Sequence, residues 1–389
     1  MIIDMIIDTS NPYVPRLLDL KKELSQKSCF LFGPRQTGKS SLIRHELKGC
    51  RVYNLLDSHT LLTLSQSPHK LSQEITSLHE IIIIDEIQKL PSLLDEVHLL
   101  IEEKKARFLL TGSSARKFRR GGVNLLGGRA RSRQLYPFVY RELGEKFDLV
   151  NAINYGLIPS IYFSENPDED LKAYAGDYLQ EEIAHEGLTR NIPAFSRFLE
   201  VAALCHGKLI NFTEIANDAQ IPRTTIHEYF QILKDTLIAF ELPAWGKTIK
   251  RKPISTSKFY FFDTGIVRHL QHRSLIHPRS PEFGDAFEAF IGQELRAFVD
   301  YTRQEGLHYW RSTSGFEVDF ILADSVAIEV KGKSTLRNDD LKGLKALKEE
   351  KKCKTYILVN LEERPSTIDG IQVLPWKNFL EQLWGRKFC

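Results

Sequence analysis

The hydrophobic residues in the first third of the chain gather in short continuous runs that do not alternate with polar residues. Such runs occupy Ser28–Phe32, Ile81–Ile84 and Arg107–Leu110, and Arg51–Leu56 predicts a further strand. A run without alternation is typical of a strand buried on both faces, as in a parallel sheet covered by helices. The pattern therefore predicts an α/β fold with a parallel sheet near the start of the chain.

The middle of the chain changes to helical spacing. Residues 150–205 are predicted to be helical, and Phe212–Ala216 and Arg223–Leu233 form a helix-turn-helix pattern. Leu237–Leu242 predicts a strand, and Lys250–Lys252 would begin the strand that returns beside it. Two helices followed by such a hairpin are typical of a winged helix, here with a basic wing.

The last part of the chain returns to a mixed pattern. Residues 285–298 have the spacing of an amphipathic helix, and Phe316–Leu322 and Val326–Lys331 have the spacing of two strands. Ala323–Ser325 would join these strands as a hairpin. The pattern predicts a second α/β region at the end of the chain.

Composition supports a folded protein with several domains. The chain has 389 residues, of which 26% are charged and 42% hydrophobic, close to the average of globular proteins. This length suggests two or three domains, and the patterns place their boundaries near residues 145 and 270. The net charge is only +3, so any surface for nucleic acid must come from local clustering of basic residues.

The same sequence predicts a cytoplasmic protein that does not enter a membrane. No apolar run approaches the roughly 20 residues needed to span a bilayer. The first residues lack the basic start and the cleavage site of a signal peptide. The 5 cysteines are scattered without a CxxC pair, which favours a reducing compartment and disfavours a cysteine zinc site.

A phosphate-binding loop follows the first predicted strand. Gly33 and Gly38 bracket four residues, Lys39 and Ser40 follow, and a helical pattern begins directly afterwards. This strand–loop–helix arrangement turns backbone N–H groups towards phosphate oxygens and adds the positive end of a helix dipole. We therefore predict binding of a nucleoside triphosphate. The residues assigned to it are Gly33, Pro34, Arg35, Gln36, Thr37, Gly38, Lys39, Ser40, Ser41 and Thr111.

Two acids end the strand at Ile81–Ile84, about 50 residues after the loop. Open α/β sheets bind ligands at the carboxyl ends of their strands, which is where Asp85 and Glu86 stand. We predict that Ser40 and Asp85 hold Mg²⁺ and that Glu86 orients or deprotonates the water that attacks the γ-phosphate. The alternative is a solvated acidic turn without chemistry.

The next strand ends in Thr111-Gly112-Ser113-Ser114, whose hydroxyls could sense the γ-phosphate or the attacking water. Helix capping is the alternative role for such residues. From Ser114 to Tyr140 the chain carries basic residues and no acids, and Gly127-Gly128 precede Arg129. We predict Arg129 as a catalytic arginine, supplied in cis or from a neighbouring subunit. A solvated loop or a nucleic-acid patch are the alternatives for this basic segment.

These motifs together resemble one family. The phosphate loop, the stretch Ile84–Pro91, Leu110–Ser114 and Gly128-Arg129 leading to Leu135–Phe138 are similar to prokaryotic AAA-type ATP-binding proteins with a poorly characterised C-terminal domain. The resemblance implies ATP as the nucleotide and a P-loop fold with an additional strand between those bearing the loop and the acidic pair. Many AAA proteins use Asn as the water sensor, whereas this chain has Thr111 or Ser113.

The C-terminal region resembles the PD-(D/E)xK nuclease fold. Asp319, Glu329 and Lys331 have its spacing, and strand alternation places Glu329 and Lys331 on one face. In such a site the acids would hold Mg²⁺, with Glu288 or less favourably Glu294 completing it, and Lys331 would activate the water. An exposed hairpin with ordinary charged residues is the alternative.

We therefore predict a P-loop AAA-type ATPase domain over residues 1–145, a helical and winged-helix domain over 146–270 and a nuclease-like domain over 271–389. The leading hypothesis is an Mg²⁺-dependent ATPase whose later domains contact DNA or a protein partner, with an oligomer as an option. One alternative is a nucleotide-switched binding module without catalysis. The other is an ATP-regulated, Mg²⁺-dependent nuclease.

Overall fold

The computed structural model describes residues 13–76, 78–114, 126–178, 191–304 and 306–388. They form two compact units, of which the first ends at Phe138 and the second begins at Val139. The predicted middle and C-terminal domains therefore share one unit. Within the described ranges, no helix is both long and apolar enough to cross a bilayer.

The first unit alternates strands and helices. Its helices are α1 (Leu20–Gln26), α2 (Lys39–Glu46), α3 (Ser58–Gln66), α4 (Lys70–Glu74) and α5 (Leu93–Lys104). Its strands are β1 (Ser28–Phe32), β2 (Arg51–Asn54), β3 (Ile81–Asp85), β4 (Arg107–Gly112) and β5 (Ala130–Gln134). Short 3₁₀ turns occupy Ile87–Lys89 and Leu126–Gly128.

The strands of the first unit form one parallel sheet in the order β2-β3-β4-β1-β5. Strand β4 lies between β1, which leads into the phosphate loop, and β3, which ends in the acidic pair. The prediction of a parallel P-loop sheet with an additional strand is therefore confirmed. All residues of β1 are buried, as its unbroken apolar run predicts. The polar edge strand β5 was not predicted, because its alternating arginines hide the strand pattern.

The second unit contains helices and two sheets. Its helices are α6 (Tyr140–Leu143), α7 (Leu149–Tyr155), α8 (Pro159–Tyr162), α9 (Pro167–Ala173), α10 (Ile192–Leu204), α11 (Phe212–Ala219), α12 (Arg223–Asp235), α13 (Thr264–Leu270), α14 (Glu282–Thr302), α15 (Lys342–Lys348) and α16 (Trp376–Trp384). Its strands are β6 (Lys208–Leu209), β7 (Ala239–Leu242), β8 (Lys258–Phe261), β9 (Leu307–Arg311), β10 (Glu317–Leu322), β11 (Val326–Val330), β12 (Thr355–Asn360), β13 (Ser366–Ile368) and β14 (Ile371–Pro375).

The smaller sheet of the second unit has the order β6-β8-β7 and follows the helix pair α11 and α12. Its returning strand begins at Lys258, later than the predicted Lys250. The chain between β7 and β8 instead runs along the edge of β9, where the Trp245 amide donates to the Tyr309 carbonyl (2.7 Å) and the Ile254 amide to the Arg311 carbonyl (2.9 Å). The predicted wing therefore covers the edge of a neighbouring sheet.

The larger sheet has the order β13-β14-β12-β11-β10-β9. Strands β10 and β11 are antiparallel, with Phe320 opposite Ile328, as the hairpin pattern predicts. Helix α14 buries Phe287, Ile291 and Phe298, which the amphipathic pattern places on one face.

Asp263 joins two parts of the middle segment. Its fully buried carboxylate accepts hydrogen bonds from the amides of Leu157 (2.7 Å), Gly265 (3.0 Å) and Ile266 (3.3 Å), so it caps α13 and fixes the turn after α7. Burial raises the pKa of Asp263 to about 6, although these amide hydrogen bonds oppose the shift. The side chain has a structural role, as its position before a helix predicts.

Gly265 allows this junction to close, and we expect its replacement by alanine to destabilise the second unit. A Cβ at position 265 would overlap the carbonyl group of Tyr155, which is backbone and cannot move aside cheaply. Gly265→Ala should lower stability by about 1–3 kcal/mol, seen as an earlier thermal unfolding transition. Gly284→Ala is the control, because a Cβ there meets nothing within 4 Å. An unchanged transition for Gly265→Ala would contradict this packing.

Candidate functional site

The predicted phosphate loop occupies the turn between β1 and α2. Gly38 has φ 94°, a left-handed conformation that favours glycine, and α2 begins at the next residue. The Lys39 side chain is buried and its ammonium donates to the carbonyls of Gly33 (2.6 Å) and Pro34 (3.0 Å). Thr37 donates its hydroxyl to the same Pro34 carbonyl (2.8 Å). The loop is thus closed around its own lysine.

The acidic pair lies at the same edge of the sheet as the loop. Strand register places Leu110 beside both Ile84 and Phe30, so the ends of β3, β4 and β1 are close to level. The Thr111 hydroxyl donates to the Asp85 carboxylate and accepts from the Glu86 amide (3.3 Å). Thr111 therefore positions both acids.

Glu86 has features of a functional carboxylate. Its φ of 58° is left-handed, a conformation that non-glycine residues adopt rarely and that is concentrated at functional sites. Burial raises the pKa of Glu86 above its usual value, while the nearby charge of Lys39 opposes the shift and that of Asp85 adds to it. The electrostatic influence of Lys39 on Glu86 brings the phosphate loop and the acidic pair into one site.

Gln88 is a member of this site that the sequence patterns did not single out. Its buried side-chain amide donates to the Glu86 carboxylate and to the Ser113 hydroxyl (3.2 Å). Its amide oxygen has no hydrogen-bond partner among the described residues. The signal was present in the position of Gln88, two residues after Glu86 and inside the turn that follows β3.

Arg16 ties the start of the chain to the phosphate loop and was also missed. Its guanidinium donates to the carbonyls of Thr37 (2.6 Å), Tyr136 (2.6 Å) and Pro137 (3.2 Å), and lies 5.1 Å from the centre of the Phe138 ring. Three carbonyls from two segments therefore depend on one side chain. A sequence pattern cannot show this, because Arg16 is 21 residues from Thr37 and 120 residues from Tyr136.

Arg129 lies near the amino-terminal ends of the strands, whereas the phosphate loop lies at their carboxyl ends. Strand β5 starts with Ala130 beside Ser28, the first residue of β1, whereas the loop follows the last. Five residues of strand span about 16 Å. Arg129 contacts Glu102 of α5 instead. The prediction of a catalytic role in cis is therefore wrong for this conformation, and the role from a neighbouring subunit stays a prediction.

The basic residues Arg116, Lys117, Arg119 and Arg120, which precede Arg129 in the predicted basic segment, lie outside the described residues. In the described part of that segment, Arg131 and Arg133 form ion pairs with Glu23 of α1 (3.7 and 3.2 Å). These two arginines stabilise the edge of the sheet.

A second group of predicted residues meets in the second unit. Glu288 of α14 and Asp319 of β10 influence each other electrostatically, and Asp319 and Glu329 do the same. Burial raises the pKa of both Glu288 and Glu329, with the charge of Asp319 adding to each shift. Lys331 contacts Glu329 (2.6 Å). These four side chains therefore lie close enough to influence one another, while their role as a nuclease-like site stays a prediction.

The predicted metal site contains a lysine that the sequence patterns did not place there. Among the described residues, no group of three or more His, Cys, Asp or Glu side chains is arranged to hold a metal ion. Lys258 stands inside the group, 3.3 Å from Glu288 and 2.7 Å from Glu317. The option of Glu294 is wrong, because its buried carboxylate accepts from the Tyr140 amide (2.6 Å) and the Trp384 indole (2.8 Å).

Comparison with protein families agrees with the geometry of the first unit. A family model described as "AAA domain" matches residues 25–144. Residues 25–144 form an AAA-type P-loop domain. Residues 146–275 match a domain of unknown function, DUF8612, and residues 283–379 match another, DUF4143.

The chain is also similar to two mycobacterial proteins. It is 27% identical over 316 residues to the uncharacterized protein Rv2008c of Mycobacterium tuberculosis, covering 78% of this chain and 70% of that protein. The same figures apply to Mb2031c of Mycobacterium bovis.

Two solved structures show a distant likeness. The Aeropyrum pernix ORC1 protein in complex with DNA has 14% identity and a TM-score of 0.25, covering 67% of this chain and 94% of that chain. A signal transduction ATPase with numerous domains from Pyrococcus horikoshii has 16% identity and a TM-score of 0.21, covering 75% of this chain and 48% of that chain.

We expect Arg16 to support nucleotide binding through the phosphate loop. Without its guanidinium, the Thr37 carbonyl loses a charged donor and the loop loses its tie to residues 136–137. Arg16→Ala should weaken the affinity for a fluorescent ATP analogue by about tenfold, since hydrogen bonds to charged groups contribute about 1.5–3 kcal/mol. Lys22→Ala, at an exposed position of α1, is the control. Equal affinities for both variants would show that Arg16 does not support the loop.

Proposed function

We propose that this protein binds ATP with Mg²⁺ in its AAA domain and hydrolyses it. The observation that carries the proposal is the meeting of Lys39, Glu86 and Thr111 at one edge of the parallel sheet. The match of residues 25–144 to the AAA domain supports it.

Binding would begin with an exchange of partners at Lys39. Its ammonium now donates to loop carbonyls, and the β- and γ-phosphates would replace these weaker acceptors. The backbone amides of residues 33–40 and the start of α2 would hold the remaining phosphate oxygens. The Ser40 hydroxyl and the Asp85 carboxylate are oxygen donors of the type that Mg²⁺ prefers. Mg²⁺, when bound, neutralises charge on the phosphate oxygens.

Glu86 would act on the attacking water. It stands one residue beyond Asp85, and burial holds its pKa above the usual value, which makes the carboxylate a stronger base. Gln88 would fix the orientation of this carboxylate. The Gln88 amide donates both to Glu86 and to the Ser113 hydroxyl, so its own position is held. Thr111 would keep Asp85 and Glu86 in register through its hydroxyl.

The proposal predicts which of two variants keeps nucleotide binding. Lys39→Ala removes the cation that meets the phosphates, so both ATP binding and phosphate release should be lost. Glu86→Gln keeps the shape but not the base, so binding should remain while phosphate release falls by about 10²–10⁴-fold. The measurement is phosphate release from ATP with Mg²⁺, beside binding of a fluorescent ATP analogue.

Two results of this experiment would change the account. Unchanged slow turnover in Glu86→Gln would favour a nucleotide switch without catalysis. Undiminished binding in Lys39→Ala would contradict the assignment of the phosphate loop itself.

Gln88 gives a more specific prediction for the same reaction. The Gln88 amide lowers the pKa of Glu86, so Gln88→Ala should raise this pKa and shift the acidic limb of the pH–rate profile to higher pH. Without Gln88 the Glu86 carboxylate is no longer held in one orientation. This should also reduce kcat by up to about 100-fold while KM changes little. Gln73→Ala, at an exposed position of α4, is the control. A Gln88→Ala profile that matches the wild type in both respects would rule out the positioning role.

As the partner of the ATPase, we favour a protein over DNA. Of the predicted basic wing, Lys247 pairs with Asp324 (2.7 Å), and Arg251 pairs with Glu349 (2.6 Å). The amides of residues 249–251 all donate to the carboxylate of Glu350. These pairings within the second unit leave less positive charge for phosphates than the sequence suggests. Phosphate release measured with and without duplex DNA would decide, since a DNA interface predicts stimulation.

A further inference from the structure

Lys258 is a buried cation in the middle of an acidic cluster, which consists of Glu288, Glu317, Asp319 and Glu329. It is the first residue of β8, and only 5% of its side chain is exposed. Its ammonium lies 2.7 Å from Glu317 and 3.3 Å from Glu288, and 5.4 Å from the centre of the Tyr309 ring. A buried ammonium needs several such partners to offset its loss of water.

The carboxylates of the acidic cluster have donors from within the chain. Glu288 also accepts from the Tyr260 hydroxyl (2.9 Å), and Asp319 accepts from the Val330 amide (2.8 Å). Glu329 accepts from Lys331 through one oxygen, while its other oxygen has no hydrogen-bond partner among the described residues. One oxygen of each of these three carboxylates therefore already accepts from a protein donor.

The acidic cluster also contains positive charges from within the chain. Lys258 and Lys331 lie among the four carboxylates, and Arg311 adds a third positive charge beside Glu317 (3.4 Å). A divalent ion at Glu288 and Asp319 would stand beside the ammonium of Lys258 and be repelled by it.

Lys258 belongs to the smaller sheet, whereas its partners belong to α14 and to the larger sheet. Other contacts cross the same boundary: Tyr260 packs against Phe320 with ring centres 6.3 Å apart, and Trp245 donates to Asp324 (2.7 Å). Because Lys258 lies at this boundary, the ion pairs that neutralise the acidic cluster also connect the two sheets.

We propose that the acidic cluster binds the Lys258 ammonium, which takes the place of a divalent ion. These ion pairs hold the smaller sheet against the larger one. The acidic cluster then has a structural role and does not cleave nucleic acid with Mg²⁺. This inference stands apart from ATP hydrolysis, because none of its residues belongs to the AAA domain.

The proposal is tested by Mn²⁺ binding to the full-length protein without nucleotide, followed through the electron paramagnetic resonance signal of free Mn²⁺. Every protein in the series carries Asp85→Asn, so that the nucleotide site offers no metal carboxylate. With Lys258 in place, we expect no saturable binding that depends on Asp319. Lys258→Met should create one site per chain with at least tenfold tighter binding, and adding Asp319→Asn should remove it.

Lys247→Met is the matched control, because it removes a lysine–carboxylate pair at the same boundary but at an exposed position. It should leave Mn²⁺ binding unchanged. Lys258→Met should also unfold at a lower temperature than its parent, and Mn²⁺ should restore part of that loss by replacing the missing charge.

Two outcomes would overturn the proposal. One is saturable Mn²⁺ binding in the protein with Lys258 that disappears with Asp319→Asn. The other is a folded Lys258→Met variant with unchanged stability and no Mn²⁺ site. If Lys258→Met does not fold, Lys258→Gln replaces it, and if neither folds the titration of the parent protein decides alone.

Discussion

The position of the Lys39 ammonium is the constraint on which the nucleotide site depends. A buried cation must have acceptors, and here the carbonyls of Gly33 and Pro34 supply them within the loop. The loop keeps its closed shape because β1 is held between β4 and β5 in the sheet and α2 begins at Lys39 itself. Phosphate groups are stronger acceptors than carbonyl groups, so the same ammonium that stabilises the loop is also suited to a nucleotide.

The second unit also contains a buried ammonium, which has a different kind of partner. Lys258 is also a buried cation, but its acceptors are carboxylates of α14 and the larger sheet rather than loop carbonyls. The burial of Lys258 lowers its pKa, yet the charges of Glu288, Asp319 and Glu317 together raise it above the usual value, so the ammonium stays charged. The two lysines therefore serve different ends: Lys39 is arranged to change partners, and Lys258 to keep them.

Local patterns predicted much of this structure, and the side chains that they missed have partners elsewhere in the chain. The buried strands β1, β3 and β4, the left-handed Gly38 and the hairpin of β10 and β11 follow from short stretches of sequence. Three residues with functional or structural weight were missed: Arg16, Gln88 and Lys258. The partners of Arg16 are about 20 to 120 residues away in the chain. Those of Lys258 are about 30 to 60 residues away. Gln88 contacts Ser113, which follows a different strand. The spacing of Asp319, Glu329 and Lys331 suggested a metal site, because spacing cannot show a lysine from another strand.

The most direct test of the central claim is calorimetric titration of Mg²⁺ and ATP into the full-length Glu86→Gln protein, in which hydrolysis does not consume the ligand. The account predicts one binding site per chain, which disappears when Lys39→Ala is added. Absence of binding in both proteins, or equal binding with and without Lys39, would contradict the assignment of a nucleotide site to the edge of the parallel sheet.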